Sequence, residues 1–184
     1  MALKSIIYKA DIQIADMDRH YYQDHALTLA RHPSETDERM MVRLLAFVLN
    51  AHEALAFGKG LSADDEPDLM QKDLTGAIER WIDVGLPDDK RIMKACGRAA
   101  QVTIYSYSSN SGIWWNQIGS RVERARNLTV YNLPAPTSQA LAAMAQRSMQ
   151  LQCTIQDGQA WLSNGERSVQ IDLTVLKAPG AEMR

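Results

Sequence analysis

With 184 residues, 46% of them hydrophobic and 23% charged, the chain is long enough to bury one well-formed core. Its formal charge of −2 supplies no global basic field, so any nucleic-acid contact must come from a local patch. The apolar runs fall short of the roughly 20 residues of a membrane span, and Lys4 interrupts the N-terminus before any apolar leader, so the expected protein is cytoplasmic, unprocessed and free of membrane contact.

Residues 3–15 alternate Ile6, Tyr8, Ala10, Ile12 and Ile14 with polar neighbours, the period of a strand with one buried face. A turn at 16–19 leads to a second strand over 20–30, which Pro33 ends. Ser34 reads as the N-cap of a helix from Glu35 to about Phe57, with Met41, Leu45, Val48, His52 and Leu55 on one stripe. His52 on that stripe reads as a core histidine. Glu38 shares the stripe, which puts an acid on a face meant for the core. Gly58 and Gly60 close the helix, and an acidic loop at 64–66 follows.

The next segment organises the chain. Two short runs, 68–74 and 77–85, flank Thr75-Gly76, and glycine there permits the positive φ of a tight turn. Antiparallel pairing sets Met70 opposite Trp81 and Lys72 opposite Glu79, and it places Asp68 opposite Asp83. Opposed residues stand about 5 Å apart, where like charges repel. Asp88 then caps a helix through Ala100 with Ile92, Ala95, Cys96 and Ala99 inward and Lys90, Arg91, Lys94 and Arg98 on its other side.

A strand over 102–107, a helix over 112–125 carrying Trp114, Trp115 and Arg121, a strand over 128–133 and a helix over 136–146 follow. From residue 149 three short alternating runs, joined by Asp157-Gly158 and Asn164-Gly165, predict a small antiparallel sheet. The order of elements describes a single α/β domain with a mixed central sheet flanked by helices, a core over about 1–148, a C-terminal β extension over 149–178 and a disordered tail over 179–184. Cys96 and Cys153 lack metal spacing and read as buried free thiols.

Asp68, Asp83 and Glu38 together offer carboxylates suited to Mg²⁺ or Mn²⁺, which take oxygen ligands in near-octahedral geometry. A metal so held activates water against a phosphodiester, and Lys72 on the same strand face is placed to stabilise the developing charge. If nucleic acid binds, Lys90, Arg91, Lys94, Trp114, Trp115 and Arg121 are the expected grip, with cations on phosphate and an aromatic ring on a base.

The stretch EPDLMQKD…IERWIDVG, preceded by a helix bearing Glu38, resembles the PD-(D/E)XK nuclease pattern. More extensively, MALKSIIYKA, LTLARHPSETDERMMVRLLAF, ADDEPDL, WIDVGLPDDKRI and TIQDGQAWLS resemble the YaeQ family along nearly the whole chain. That resemblance implies a variant of the restriction-endonuclease-like fold, with Glu38, Asp68 and Asp83 at its acidic positions. Gly85 stands where the pattern has its lysine. Two functions follow as expectations: a Mg²⁺- or Mn²⁺-dependent nuclease, or a non-catalytic binding or adaptor protein on the same scaffold, with nucleic acid or a protein as partner.

Overall fold

The computed structural model describes residues 4–59 and 65–180. Its elements are β1 (Ile6–Asp16), β2 (Tyr21–Arg31), α1 (Asp37–Leu49), β3 (Leu55–Phe57), β4 (Leu69–Lys72), β5 (Ile78–Val84), α2 (Asp89–Arg98) and β6 (Ala99–Tyr107). They continue with α3 (Ser111–Val122), β7 (Leu128–Leu133), α4 (Ala135–Ala142), β8 (Ser148–Gln156), β9 (Gln159–Ser163), β10 (Ser168–Ile171) and β11 (Thr174–Lys177).

Strands and helices form two mixed sheets rather than one central sheet. The first has the order β10-β9-β8-β1-β2 and the second β11-β7-β6-β5-β4-β3. The C-terminal strands are not an extension. β8 lies parallel to β1, from Lys9 beside Ser148 to Asp16 beside Ile155, and β11 pairs antiparallel with β7 at the edge of the second sheet. The sequence pattern hides this, because two strands far apart in the chain share no turn. They meet because the apolar faces of Ile12 and Ile14 on β1 match those of Leu151 and Cys153 on β8.

Helix α1 is buried on all sides from Met40 to Val48, because it packs against both sheets and against α4. A second core joins the opposite face of the second sheet, through Trp81, Val102, Ile104 and Val130, to Ile92 of α2 and Trp114, Ile118 and Val122 of α3. α1 is shorter than its apolar stripe predicts. Thr36, not Ser34, caps its start by accepting the Arg39 N–H at 3.1 Å, and Asn50 ends it by turning its Nδ2 back to the Ala46 carbonyl at 2.8 Å. The chain then reverses into β3. His52 is therefore exposed, with Nδ1 accepting the Ala54 N–H at 2.9 Å.

The hairpin keeps the expected Met70–Trp81 pairing, but a bulge after Gln71 sets Lys72 opposite Ile78 rather than Glu79. Its turn is wider than two residues: the Asp73 Oδ1 accepts from the N–H of Thr75 and Ala77, Gly76 takes φ +87°, and Leu74 is fully exposed. Both cysteines are free thiols, and burial pushes their pKa values up, Cys96 to about 11 and Cys153 to about 12. Of the expected disordered tail, Gly180 is tied by its N–H to the Arg126 carbonyl at 2.8 Å; residues 181–184, like Gly60 and Asp64, lie outside the described residues. Among the described residues no helix is long and apolar enough to cross a membrane.

Candidate functional site

The start of β4 and the end of β5 bring Asp68 and Asp83 together, 6% and 2% exposed. They are linked through the backbone: the Asp68 N–H donates to Asp83 Oδ1 at 3.2 Å, and the Val84 N–H donates to Asp68 Oδ2 at 2.8 Å. Antiparallel pairing, extended past the Leu69–Ile82 pair, produces this approach.

Arginines meet both carboxylates. Arg39 of α1 directs Nη2 at Asp68 Oδ1 and Oδ2, at 2.9 and 3.0 Å. Arg91 of α2 forks onto Asp83, with Nε on Oδ2 at 2.9 Å and Nη2 on Oδ1 at 3.2 Å. Behind Arg39 stands Glu35, whose Oε2 accepts from Arg39 Nη1 at 2.6 Å and from Arg43 Nε at 2.9 Å, while its Oε1 accepts from Arg43 Nη2 at 2.7 Å. Burial works against the charge on Arg39, but Asp68 and Glu35 beside it hold its pKa above the ordinary arginine value. Glu35, Asp68 and Asp83 are thus matched by Arg39, Arg43 and Arg91, and the network is neutral.

The buried acid is therefore Glu35, in the bend just before the Thr36 cap of α1, and not Glu38. Glu38 is half-buried and acts on Tyr107, whose phenol burial pushes up, with Arg39 opposing and Glu38 adding to the shift. Among the described residues no three His, Cys, Asp or Glu side chains converge into a metal-holding group. Lys72 is exposed at the opposite end of β4 from Asp68, about 13 Å away along a strand rising about 3.3 Å per residue, and does not join the acid pair. Gly85, just past the end of β5, has φ +108°, a conformation that side chains other than glycine rarely adopt.

The signal for the network was present as Glu35, Arg39 and Arg43 at intervals of four, with the two arginines on one face of α1 and Glu35 just before its cap. It is easily read as a capped helix start, because the partner acid at Asp68 lies 29 residues from Arg39.

The expected nucleic-acid grip divides. Trp114 is buried, its Nε1 donating to the Pro87 carbonyl at 2.7 Å, and offers no face to a base. Trp115 is half-buried and lies over Gly119 of its own helix. Arg121 stands 3.7 Å from Asp89. Lys90, Lys94 and Arg98 remain on an exposed face of α2, where they and Arg91 rim a groove of about 340 Å³ over Trp81. Lys94 reaches Asp65 at 3.0 Å and holds that carboxyl below its ordinary value, and the Arg98 guanidinium stacks on the Trp81 ring at 5.2 Å. The Trp81 indole N–H is buried and has no acceptor among the described residues.

A family model described as YaeQ protein matches residues 1–173. The chain is 47% identical over 180 residues to a protein of Escherichia coli K12 named uncharacterized protein YaeQ, covering 97% of this chain and 99% of that one. A relative of the same name from Salmonella typhi is 48% identical over the same 180 residues. Of the solved structures, the YaeQ protein of Xanthomonas axonopodis pv. citri is similar at TM-score 0.91 and 46% identity, over 95% of this chain and 99% of that chain. The YaeQ protein of Pseudomonas syringae is similar at TM-score 0.91 and 33% identity, over 95% of this chain and 97% of that chain.

Proposed function

The chain belongs to the YaeQ family, and from that premise we propose that it is a non-catalytic nucleic-acid-binding protein on a PD-(D/E)XK-like scaffold, its former acid centre serving as structure. One observation carries this reading: Asp68 and Asp83 already accept from Arg39 and Arg91. A magnesium ion takes oxygen ligands at about 2.0–2.1 Å in near-octahedral geometry. These carboxylates spend their lone pairs on guanidinium and backbone donors instead, so the arrangement does not fit a divalent ion. The glycine at 85 supports the same conclusion, since the phosphate-facing lysine of the pattern is missing.

Binding rests on α2. Its exposed cations Lys90, Lys94 and Arg98 rim the groove over Trp81 and present their charge to a phosphate backbone. The Lys94–Asp65 pair is exposed on both sides, so solvent screens it and Lys94 exchanges readily to a phosphate. The competing reading, a Mg²⁺- or Mn²⁺-dependent nuclease, is favoured by the approach of Asp68 to Asp83 behind Pro67.

Calorimetric titration with Mn²⁺ and cleavage assays on single- and double-stranded DNA and RNA separate the two. The expected result is no saturable heat and no cleavage, with micromolar binding of an oligonucleotide that weakens as salt rises and is lost in a Lys90→Ala/Lys94→Ala/Arg98→Ala variant. Micromolar Mn²⁺ binding with cleavage, both abolished in Asp83→Ala, overturns the proposal in favour of the nuclease.

A further inference from the structure

A separate cavity lies elsewhere, between the two sheets. It measures about 980 Å³, at the upper end of the 300–1,000 Å³ typical of small-molecule sites. Its position follows from the fold. Facing sheets normally fill the gap between them with apolar side chains. Here α1 fills it only as far as Leu49, and beyond the Asn50 cap the second sheet presents a polar surface.

The register shows that this surface is a single face. Arg80 sits beside Gln101, Thr103 beside Thr129, and Tyr105 beside Tyr131, while the alternate residues Val102 and Ile104 enter the core with α2 and α3. Across the gap, Asp16, Ile155, Ala160 and Ile171 form the matching row of the first sheet. Polar residues at positions that a core would make apolar need a reason, and a ligand supplies one.

The charges on the two walls differ. On the first sheet's side, Asp16 is closed by Arg19 at 2.6 Å, and Asp18 caps the Asp157 and Gly158 N–H groups at 2.8 Å each; Asp172 accepts from Gln170 at 3.3 Å. On the second sheet's side, Arg80 and Arg126 have no carboxylate within 4 Å among the described residues. Arg80 is not loose: its Nη1 donates to Asn50 Oδ1 at 3.2 Å, and Asn50 Nδ2 donates to the Tyr105 hydroxyl at 2.8 Å. That chain holds the guanidinium in place and leaves other N–H groups for a ligand. The rings of Tyr105 and Tyr131 stack with centroids 5.4 Å apart, and Leu173 and Val175 line the same cavity.

We infer that this cleft binds a nucleoside phosphate, the phosphate on Arg80 and Arg126 and the base among Tyr131, Leu173 and Val175. Guanidinium groups match phosphate oxygens in paired geometry, and the aromatic and aliphatic wall takes a flat ring. The site is separate from the α2 groove, which faces the other side of the second sheet.

The test is thermal denaturation and calorimetry with AMP, GMP, CMP and UMP at about 1 mM, beside inorganic phosphate and adenosine. At least one nucleotide is expected to raise the midpoint and to bind at least about tenfold more tightly than phosphate or its nucleoside alone. Arg80→Gln and the rim variant Arg126→Gln should each weaken that binding about tenfold with the ligand-free midpoint unchanged. Lys90→Ala/Lys94→Ala/Arg98→Ala should leave it intact. If none of the four nucleotides binds, or if both arginine variants bind as wild type does, the inference is overturned.

Discussion

Arginine is used in opposite ways at the two ends of the parallel strands β5, β6 and β7. At the end marked by Val84 and Gly85, Arg39, Arg43 and Arg91 are closed on Glu35, Asp68 and Asp83, and every buried carboxylate has two or more donors. Near the other end, Arg80 and Arg126 line an open cleft with no carboxylate against them among the described residues, Arg80 being held by the neutral Asn50. Burial explains the contrast. Arg43 is 2% exposed, so an unpaired charge there would be prohibitive, whereas Arg80 and Arg126 keep contact with solvent and keep spare donors. The first set holds the architecture together, and the second is available to a partner.

The sharpest way to break this contrast is at Glu35. Glu35→Ala leaves Arg43 buried without its acid and strands part of Arg39, so urea unfolding should show a loss of about 3–5 kcal/mol. Glu35→Met combined with Arg43→Met should cost less than Glu35→Ala, because removing both charges leaves none uncompensated. Asp68→Ala comes next: it frees the Val84 N–H and one face of Arg39, which still holds Glu35, and the expected loss is about 2–3 kcal/mol. Arg80→Gln at the open end should change stability by no more than about 0.5 kcal/mol in the same assay. A loss at Arg80 as large as that at Glu35 would erase the distinction between the two ends.

The smallest effect is a pH dependence at His25, which lies outside both sets. Burial lowers its pKa, and its ring packs edge-on to Phe47 and bonds the Tyr21 hydroxyl at 2.6 Å. The folded state therefore binds this proton less readily than the unfolded chain, so the stability it contributes is complete above the ordinary histidine value of about 6.5 and falls as pH drops below it. Thermal midpoints at pH 7.5 and 5.5 should differ less in His25→Gln than in wild type.

Much of the local architecture was legible. The alternation of Ile6, Tyr8, Ala10, Ile12 and Ile14 specifies β1, Asp88 caps α2 by accepting the Arg91 N–H at 2.7 Å, and Met70 faces Trp81. These features depend on residues a few positions apart, and their physics is contained in short windows. The proximity of Asp68 to Asp83 was legible for the same reason, since a hairpin relates them. Glu38 and Lys72 were misplaced for two local reasons: the helix starts only after the Thr36 cap, so the buried acid is Glu35 ahead of it, and Lys72 closes the strand that Asp68 precedes, about 13 Å away.

The sequence by itself determined the strand and helix periods, the hairpin and the presence of buried acids, because each follows from neighbours within one or two turns of chain. Only the tertiary structure decided that β8 lies beside β1, that Arg39 and Arg91 neutralise the acid pair, and that a polar cleft opens where α1 stops. Those outcomes depend on which charged groups and apolar faces meet across tens of residues. The lowest free energy there is set by burial and pairing of all the layers at once, and no local pattern records it.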